Sequence, residues 1–116
     1  FMDPIAAMAR RCGMGQEFPL PVISQFYGTV PDPAWKMKKW GREWQTFDTV
    51  NATIGQGYML SSPLQLAVMA SRLATGKHVM PRLTLDTKPK GFDTIDFPSE
   101  QVDYVRQAMS DVVNGP

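Results

Sequence analysis

The residues best placed to do chemistry lie at Ile54-Gly55-Gln56-Gly57-Tyr58. Two glycines around a glutamine allow positive φ or a close backbone approach, and the amide between them both donates and accepts. As a bare pattern this is weak, since Gly-x-Gly recurs by chance, and at such a corner Gln56 can serve simply to satisfy the backbone groups of the turn. The pattern is not a dinucleotide fingerprint, because a third glycine is missing and no strand signal precedes it.

Cys12 is the only cysteine and His78 the only histidine. Ile5, Met8, Ala9 and Cys12 recur at helical spacing, so Cys12 reads as a small core residue rather than a nucleophile. His78 has no second histidine and no paired carboxylates beside it, so neither a metal nor a cofactor is expected. Trp35, Trp40 and Trp44 stand among lysines and arginines, a set that suits a sugar platform, an anionic lipid surface or single-stranded nucleic acid. With 12 Lys+Arg against 11 Asp+Glu, the net charge of +1 excludes a strongly polyanionic partner, nucleic acid included. The favoured reading is that the lysines form a solvated face while the rings anchor the loop to the core.

The element that must position the corner follows it directly. Ser62, Pro63 and Gln65 form a helix start, with serine as N-cap, proline in the first turn and glutamine closing a capping box. Leu64, Leu66, Ala67, Val68, Met69, Ala70, Leu73 and Ala74 leave almost no polar face, which predicts a buried rod ended by Gly76. Asp3-Pro4 and Asp32-Pro33 repeat the start signal for helices ending at Gly13 and Gly41. Residues 15–31, punctuated by Pro19, Pro21 and Pro31, read as an extended loop laid against a core. Residues 48–53 suggest one further helical turn. Val79 to Leu85 alternates like a short strand, with Leu83 and Leu85 on one face. Thr87 to Phe97 reads as a polar hairpin or loop. A last amphipathic helix begins at Ser99, its stripe formed by Val102, Val105, Met109 and Val112 or Val113.

At 116 residues, 43% hydrophobic and 20% charged, the chain is of the size and composition of one globular domain. No run of about 18 apolar residues is present to span a membrane. A lone thiol forms no internal disulfide and by itself leans towards a reducing compartment. Phe1 at one end and Asn114-Gly115-Pro116 at the other read as cuts in a longer polypeptide.

Taken together, Ile54-Gly55-Gln56-Gly57-Tyr58, Ser62-Pro63-Leu64-Gln65-Leu66-Ala67, Gly76 and Pro81 resemble the class B penicillin-binding proteins of the elongation type. Val30-Pro31-Asp32, Trp35-Lys36 and Val112-Val113-Asn114-Gly115 look like flanking parts of the same domain. The chain departs from the family at Gln16-Glu17-Phe18-Pro19-Leu20, where a Thr-Gly-Ile-type segment is expected.

The resemblance implies a mainly α fragment, of about four helices and a short strand near 79–85, from an α+β serine β-lactamase/transpeptidase-like domain. It implies a peptidoglycan D,D-transpeptidase that cross-links stem peptides through an acyl-serine intermediate. A weak serine nucleophile needs an adjacent base and an oxyanion hole, and the family supplies them through Ser-x-x-Lys, Ser-x-Asn (or Asp) and Lys-Thr-Gly motifs. None of the three occurs here: no serine has Lys three residues later or Asn or Asp two later, and Thr75-Gly76-Lys77 has the wrong order. Residues 1–116 therefore resemble the partial domain between the second and third motifs, catalytic residues being absent. The resemblance makes Ile54, Gln56, Gly57 and Tyr58 one wall of the cleft that holds a stem peptide or β-lactam. The parent protein would lie at the periplasmic face of the bacterial inner membrane, anchored by an N-terminal segment, among the cell-wall elongation proteins. Alternatives are a β-lactam sensor domain of the same fold and a non-catalytic interaction module built on the tryptophans. Without its central sheet the fragment is expected to self-associate through apolar faces left bare.

Overall fold

A computed structural model describes residues 1–85 and 91–115. Five helices follow one another: α1 (Met2–Arg11), α2 (Pro33–Trp40), α3 (Thr46–Thr53), α4 (Pro63–Thr75) and α5 (Ser99–Asn114). The single turn expected at 48–53 is thus a full eight-residue helix. Met2 and Ala6 of α1 meet Val30 and Ala52 in a small core, with Ala9, Met14 and Trp44 packed against it. The radius of gyration is 15.9 Å, against roughly 13 Å for a close-packed domain of this length. The helices spread out instead of closing around one centre.

The α4 helix begins and ends as its residues dictate. The Ser62 hydroxyl accepts from the Gln65 N–H at 3.2 Å, and the Ser62 N–H donates to Gln65 Oε1 at 3.1 Å. Gly76 closes it at φ 67°, its N–H on the Arg72 carbonyl. Its orientation reverses expectation. The buried positions are Gln65, Val68 and Arg72, three and seven apart on one face. Leu66 is 45% exposed, and Leu64, Ala67 and Ala74 also face solvent. The rod is therefore buried on one side only, and the two largest groups on that side are polar.

Both are fully used. The Gln65 carboxamide donates to the Gln16 and Tyr27 carbonyls at 3.0 and 2.8 Å. Its oxygen accepts from the Ser62 N–H and the Ser61 hydroxyl. Arg72, wholly buried, donates to the Val79 carbonyl at 3.1 Å, the Arg11 carbonyl at 2.9 Å and the Met80 sulfur at 3.7 Å. Burial pushes its pKa below the ordinary arginine value, and Cys12 nearby pulls the other way. Among the described residues no carboxylate pairs with it. Its charge is met by carbonyl dipoles, one of them on the last residue of α1, where the helix dipole is negative.

Several local expectations are corrected. Residues 79–85 form no strand: Leu83 and Leu85 are exposed, Pro81 lacks a donor, and the Val79 carbonyl is taken by Arg72. Just before this segment, Lys77 and Thr94 form an isolated antiparallel bridge. The hairpin or loop expected at 87–97 falls partly, at 87–90, outside the described residues. Phe1 takes the cap position of α1, which places Asp3 inside the first turn, and Pro98 takes it for α5. On α1 the buried residues are Met2 and Ala6, whereas Ile5 and Met8 are exposed. The α5 stripe is largely bare, with Val112 86% exposed, although α4 packs against part of the helix.

A second isolated bridge pairs Thr29 with Leu60 at 2.8 and 3.1 Å. It requires Gly28, since a Cβ there would stand 2.2 Å from the Leu60 carbonyl oxygen. The bridge ties the proline-rich loop to the entrance of α4.

The inverted helix makes a direct prediction. Arg72→Met leaves the part-buried Arg11 and Val79 carbonyls without their donor and should lower stability by about 1–3 kcal/mol. Leu66→Gln, on the bare face, should change it by less than about 0.5 kcal/mol. Urea unfolding followed by circular dichroism measures both, and a larger loss for the leucine variant would contradict the orientation.

Candidate functional site

The corner is held by α2 and α3. Asp32 caps α2, accepting the Trp35 N–H at 2.7 Å. Burial works against its carboxylate, but the Trp35 N–H and Arg10 outweigh it and hold the pKa below the ordinary range. Pro33 opens the helix and Gly41 closes it in the left-handed region. One turn in from the cap, Lys36 turns inward and is only 4% exposed. Its ammonium lies 2.5 Å from Asp48 Oδ2, and the same oxygen accepts the Gln45 N–H at 2.8 Å at the start of α3.

Burial opposes charge on Asp48, yet the Lys36 hydrogen bond, the Gln45 N–H and the Lys36 charge together hold its pKa below the usual aspartate value. The expectation that the lysines form a solvated face is therefore wrong at Lys36. The rings divide in the same way. Trp44 packs on the core and donates to the Thr49 hydroxyl at 2.8 Å, Trp35 is half-buried, and Trp40 is 56% exposed.

At the other end of α3 the chain reverses. The Asn51 carbonyl accepts from both Ile54 and Gln56 N–H groups, and the Ala52 carbonyl from Gly55. Gly55 and Gly57 sit at φ 72° and 70°. At Gly57 space matters too, since a Cβ would meet the Asn51 Cβ at 3.2 Å. Ile54 is 64% exposed. The Gln56 side chain is exposed and makes no hydrogen bond among the described residues, the turn being closed by backbone alone. Tyr58 is half-buried, its ring 5.3 Å from that of Trp35 and tilted by 56°.

The four residues singled out from sequence thus occupy one corner, with two side chains presented to solvent and one anchored. Sequence reasoning missed Lys36 and Asp48 beneath them. An acidic residue at the third position of a helix was a readable capping signal for Asp48. Nothing in the spacing marked Lys36, which sits among basic neighbours that do face water. Cys12 lies apart, beside Arg72 at the end of α1. Burial raises its thiol pKa, with Arg72 and Arg11 acting in the opposite sense. That favours the protonated form and the structural role.

Among the described residues, five helices, two isolated bridges and an exposed glycine corner make a mainly helical fragment. Residues 2–116 match the family model described as "Penicillin binding protein transpeptidase domain". The chain belongs to that family.

Several proteins within it are similar to this chain. The chain is 32% identical, over 97% of its length, to the peptidoglycan D,D-transpeptidase MrdA of Acinetobacter baumannii, of which it covers 18%. The penicillin-binding protein 2 of Helicobacter pylori, in its complex with MreC, superposes with TM-score 0.87 at 28% identity, covering 97% of this chain and 22% of that one. Pseudomonas aeruginosa penicillin-binding protein 2 in complex with WCK 5153 gives TM-score 0.82 at 31% identity, covering 99% and 27%. The chain therefore spans about a fifth to a quarter of the length of these relatives.

The Asp48 shift has a definite sign in acid. A carboxyl whose folded pKa lies below its unfolded value of about 4 stabilises the fold fully above that pH and loses its contribution as pH falls through the folded value. Stability of the native sequence should fall more steeply as pH drops below about 4 than that of Asp48→Asn, although the variant starts lower. Urea midpoints at successive pH values measure the two slopes, and parallel slopes would contradict the assignment.

Proposed function

We propose that this chain is part of a peptidoglycan D,D-transpeptidase that cross-links stem peptides through an acyl-serine intermediate. The observation that carries the reading is the family match over residues 2–116, together with the identity to a D,D-transpeptidase. The segment falls between the Ser-x-Asn-type and Lys-Thr-Gly-type motifs of the domain, so the serine nucleophile and its lysine base come from elsewhere in the parent. This chain supplies scaffold and one wall of the cleft. Ile54 and Tyr58 give apolar contact, Gly57 lets the backbone come close, and Gln56 pairs with an amide of the stem peptide or of a β-lactam. The unengaged Gln56 carboxamide supports that role, since an exposed side chain with no partner in the turn is free to find one in a ligand.

The parent acts at the periplasmic face of the inner membrane with other cell-wall elongation proteins, a setting consistent with the MreC complex of the Helicobacter pylori relative. No helix among the described residues is long and apolar enough to cross a membrane, so an anchor would lie elsewhere in the parent. The bare faces of α4 and α5 support self-association of the isolated piece. Trp40 is the one feature favouring an interaction module, and Trp35 and Trp44 are instead engaged within the chain.

Labelling by a fluorescent penicillin tests the reading. This chain alone should not be labelled, and the full-length parent should be. In the parent, Gln56→Ala should slow acylation about tenfold, the equivalent of one hydrogen bond of about 1.4 kcal/mol. Labelling of neither chain would overturn the transpeptidase reading, and unchanged acylation in the variant would remove Gln56 from the wall.

A further inference from the structure

Tyr58 leaves the glycine corner into a position fixed by its neighbours. One is the Trp35 ring, 5.3 Å away between centroids. Another is the Lys36 ammonium, 5.7 Å from the centre of the Tyr58 ring and 5.9 Å from that of Phe47. The ammonium has little freedom, because Lys36 is buried and hydrogen-bonded to Asp48. Asp48 is fixed in turn by the Gln45 N–H at the first turn of α3. The last turn of the same helix holds the corner from the other side, through the Asn51 carbonyl and the Gln56 N–H. A short helix therefore grips the corner at both ends, through a cation at one and a carbonyl at the other.

A buried ion pair is weak as a source of stability, since well-packed apolar residues of similar volume often do as well or better. What apolar residues lack is direction. A cation attracts the negative face of an aromatic ring, and its charge-assisted hydrogen bond fixes where that cation stands.

We infer that Lys36 and Asp48 are positioning residues of the cleft wall, in which Lys36 sets the placement of the Tyr58 ring and Asp48 sets the placement of Lys36. The inference rests on the cleft-wall reading above and adds to it two residues that do not themselves touch the ligand.

The test is a mutant cycle in the full-length parent, read as the rate constant for acylation by a fluorescent penicillin. Tyr58→Ala should slow acylation about tenfold. The double variant Lys36→Met with Asp48→Asn removes both charges while the asparagine can still accept the Gln45 N–H, and it should also slow acylation about tenfold. Combining all three substitutions should cost no more than Tyr58→Ala alone, because the pair acts through that ring. Multiplying losses would instead indicate general loosening of the fold and overturn the inference. Slowing by Tyr58→Ala with a normal rate in the charge-free variant would also overturn it while leaving the wall reading in place. A normal rate in Tyr58→Ala would overturn both. Should the double variant fail to fold, Lys36→Arg, which keeps the charge but displaces it from the ring, enters the same cycle with the same readings.

Discussion

The structure depends on how α4 satisfies the backbone of loops that have no sheet to satisfy it. Residues 15–31 carry three prolines and residues 79–85 one, so neither segment builds a ladder of its own. Carbonyls removed in part from water still need donors. Gln65 meets those of Gln16 and Tyr27, and Arg72 those of Arg11 and Val79. Two side chains on one helical face thereby do for the loops what neighbouring strands would do in a sheet. The cost is a buried guanidinium without a carboxylate partner among the described residues. It is tolerable because each of its three nitrogens meets an acceptor, and because one acceptor is the negative end of α1.

This constraint decides which surface faces outward. With Gln65 and Arg72 turned in, α4 turns Leu64, Leu66, Ala67 and Ala74 out, beside the largely bare stripe of α5. Bare apolar faces on two adjacent helices suit a layer that another layer is meant to cover. That agrees with a chain spanning about a fifth to a quarter of the length of its relatives. The same helix begins next to the glycine corner, and the Thr29–Leu60 bridge lies between them. Scaffold and proposed wall are consequently one mechanical unit: α4 fixes the loop at Leu60, and the α2–α3 clamp fixes it at Tyr58.

Much of the local structure was legible in the residues. The capping box at Ser62 and Gln65, the left-handed end at Gly76, the Asp32 cap and the corner at residues 54–58 follow from short-range rules that need no tertiary knowledge. The orientation of α4 was not legible. Periodicity assigns apolar residues to the core, but it cannot tell a core within the chain from one shared with another layer. Gln65 was readable as a cap, and its two further hydrogen bonds reach 38 and 49 residues along the chain. Lys36 was misread for a related reason, since its partner Asp48 stands on another helix and the alternation of Lys36 with Lys38 and Lys39 looks like a solvated face. The strand expected near 79–85 failed because Arg72 takes the Val79 carbonyl that a ladder would need.

The outward face of α4 is proposed to belong to an interface with the rest of a transpeptidase domain, and the reactivity of a thiol on that face tests this. Leu66→Cys would be placed in this chain and in the full-length parent, and its maleimide reaction followed by mass spectrometry of the peptide that carries it. Cys12, being buried, serves as a slow internal reference. Rapid reaction at position 66 in the short chain and protection in the parent is the result the account predicts. Equally rapid reaction in both would mean that this face stays open in the parent, and the assignment of α4 as scaffold beneath a further layer would be wrong.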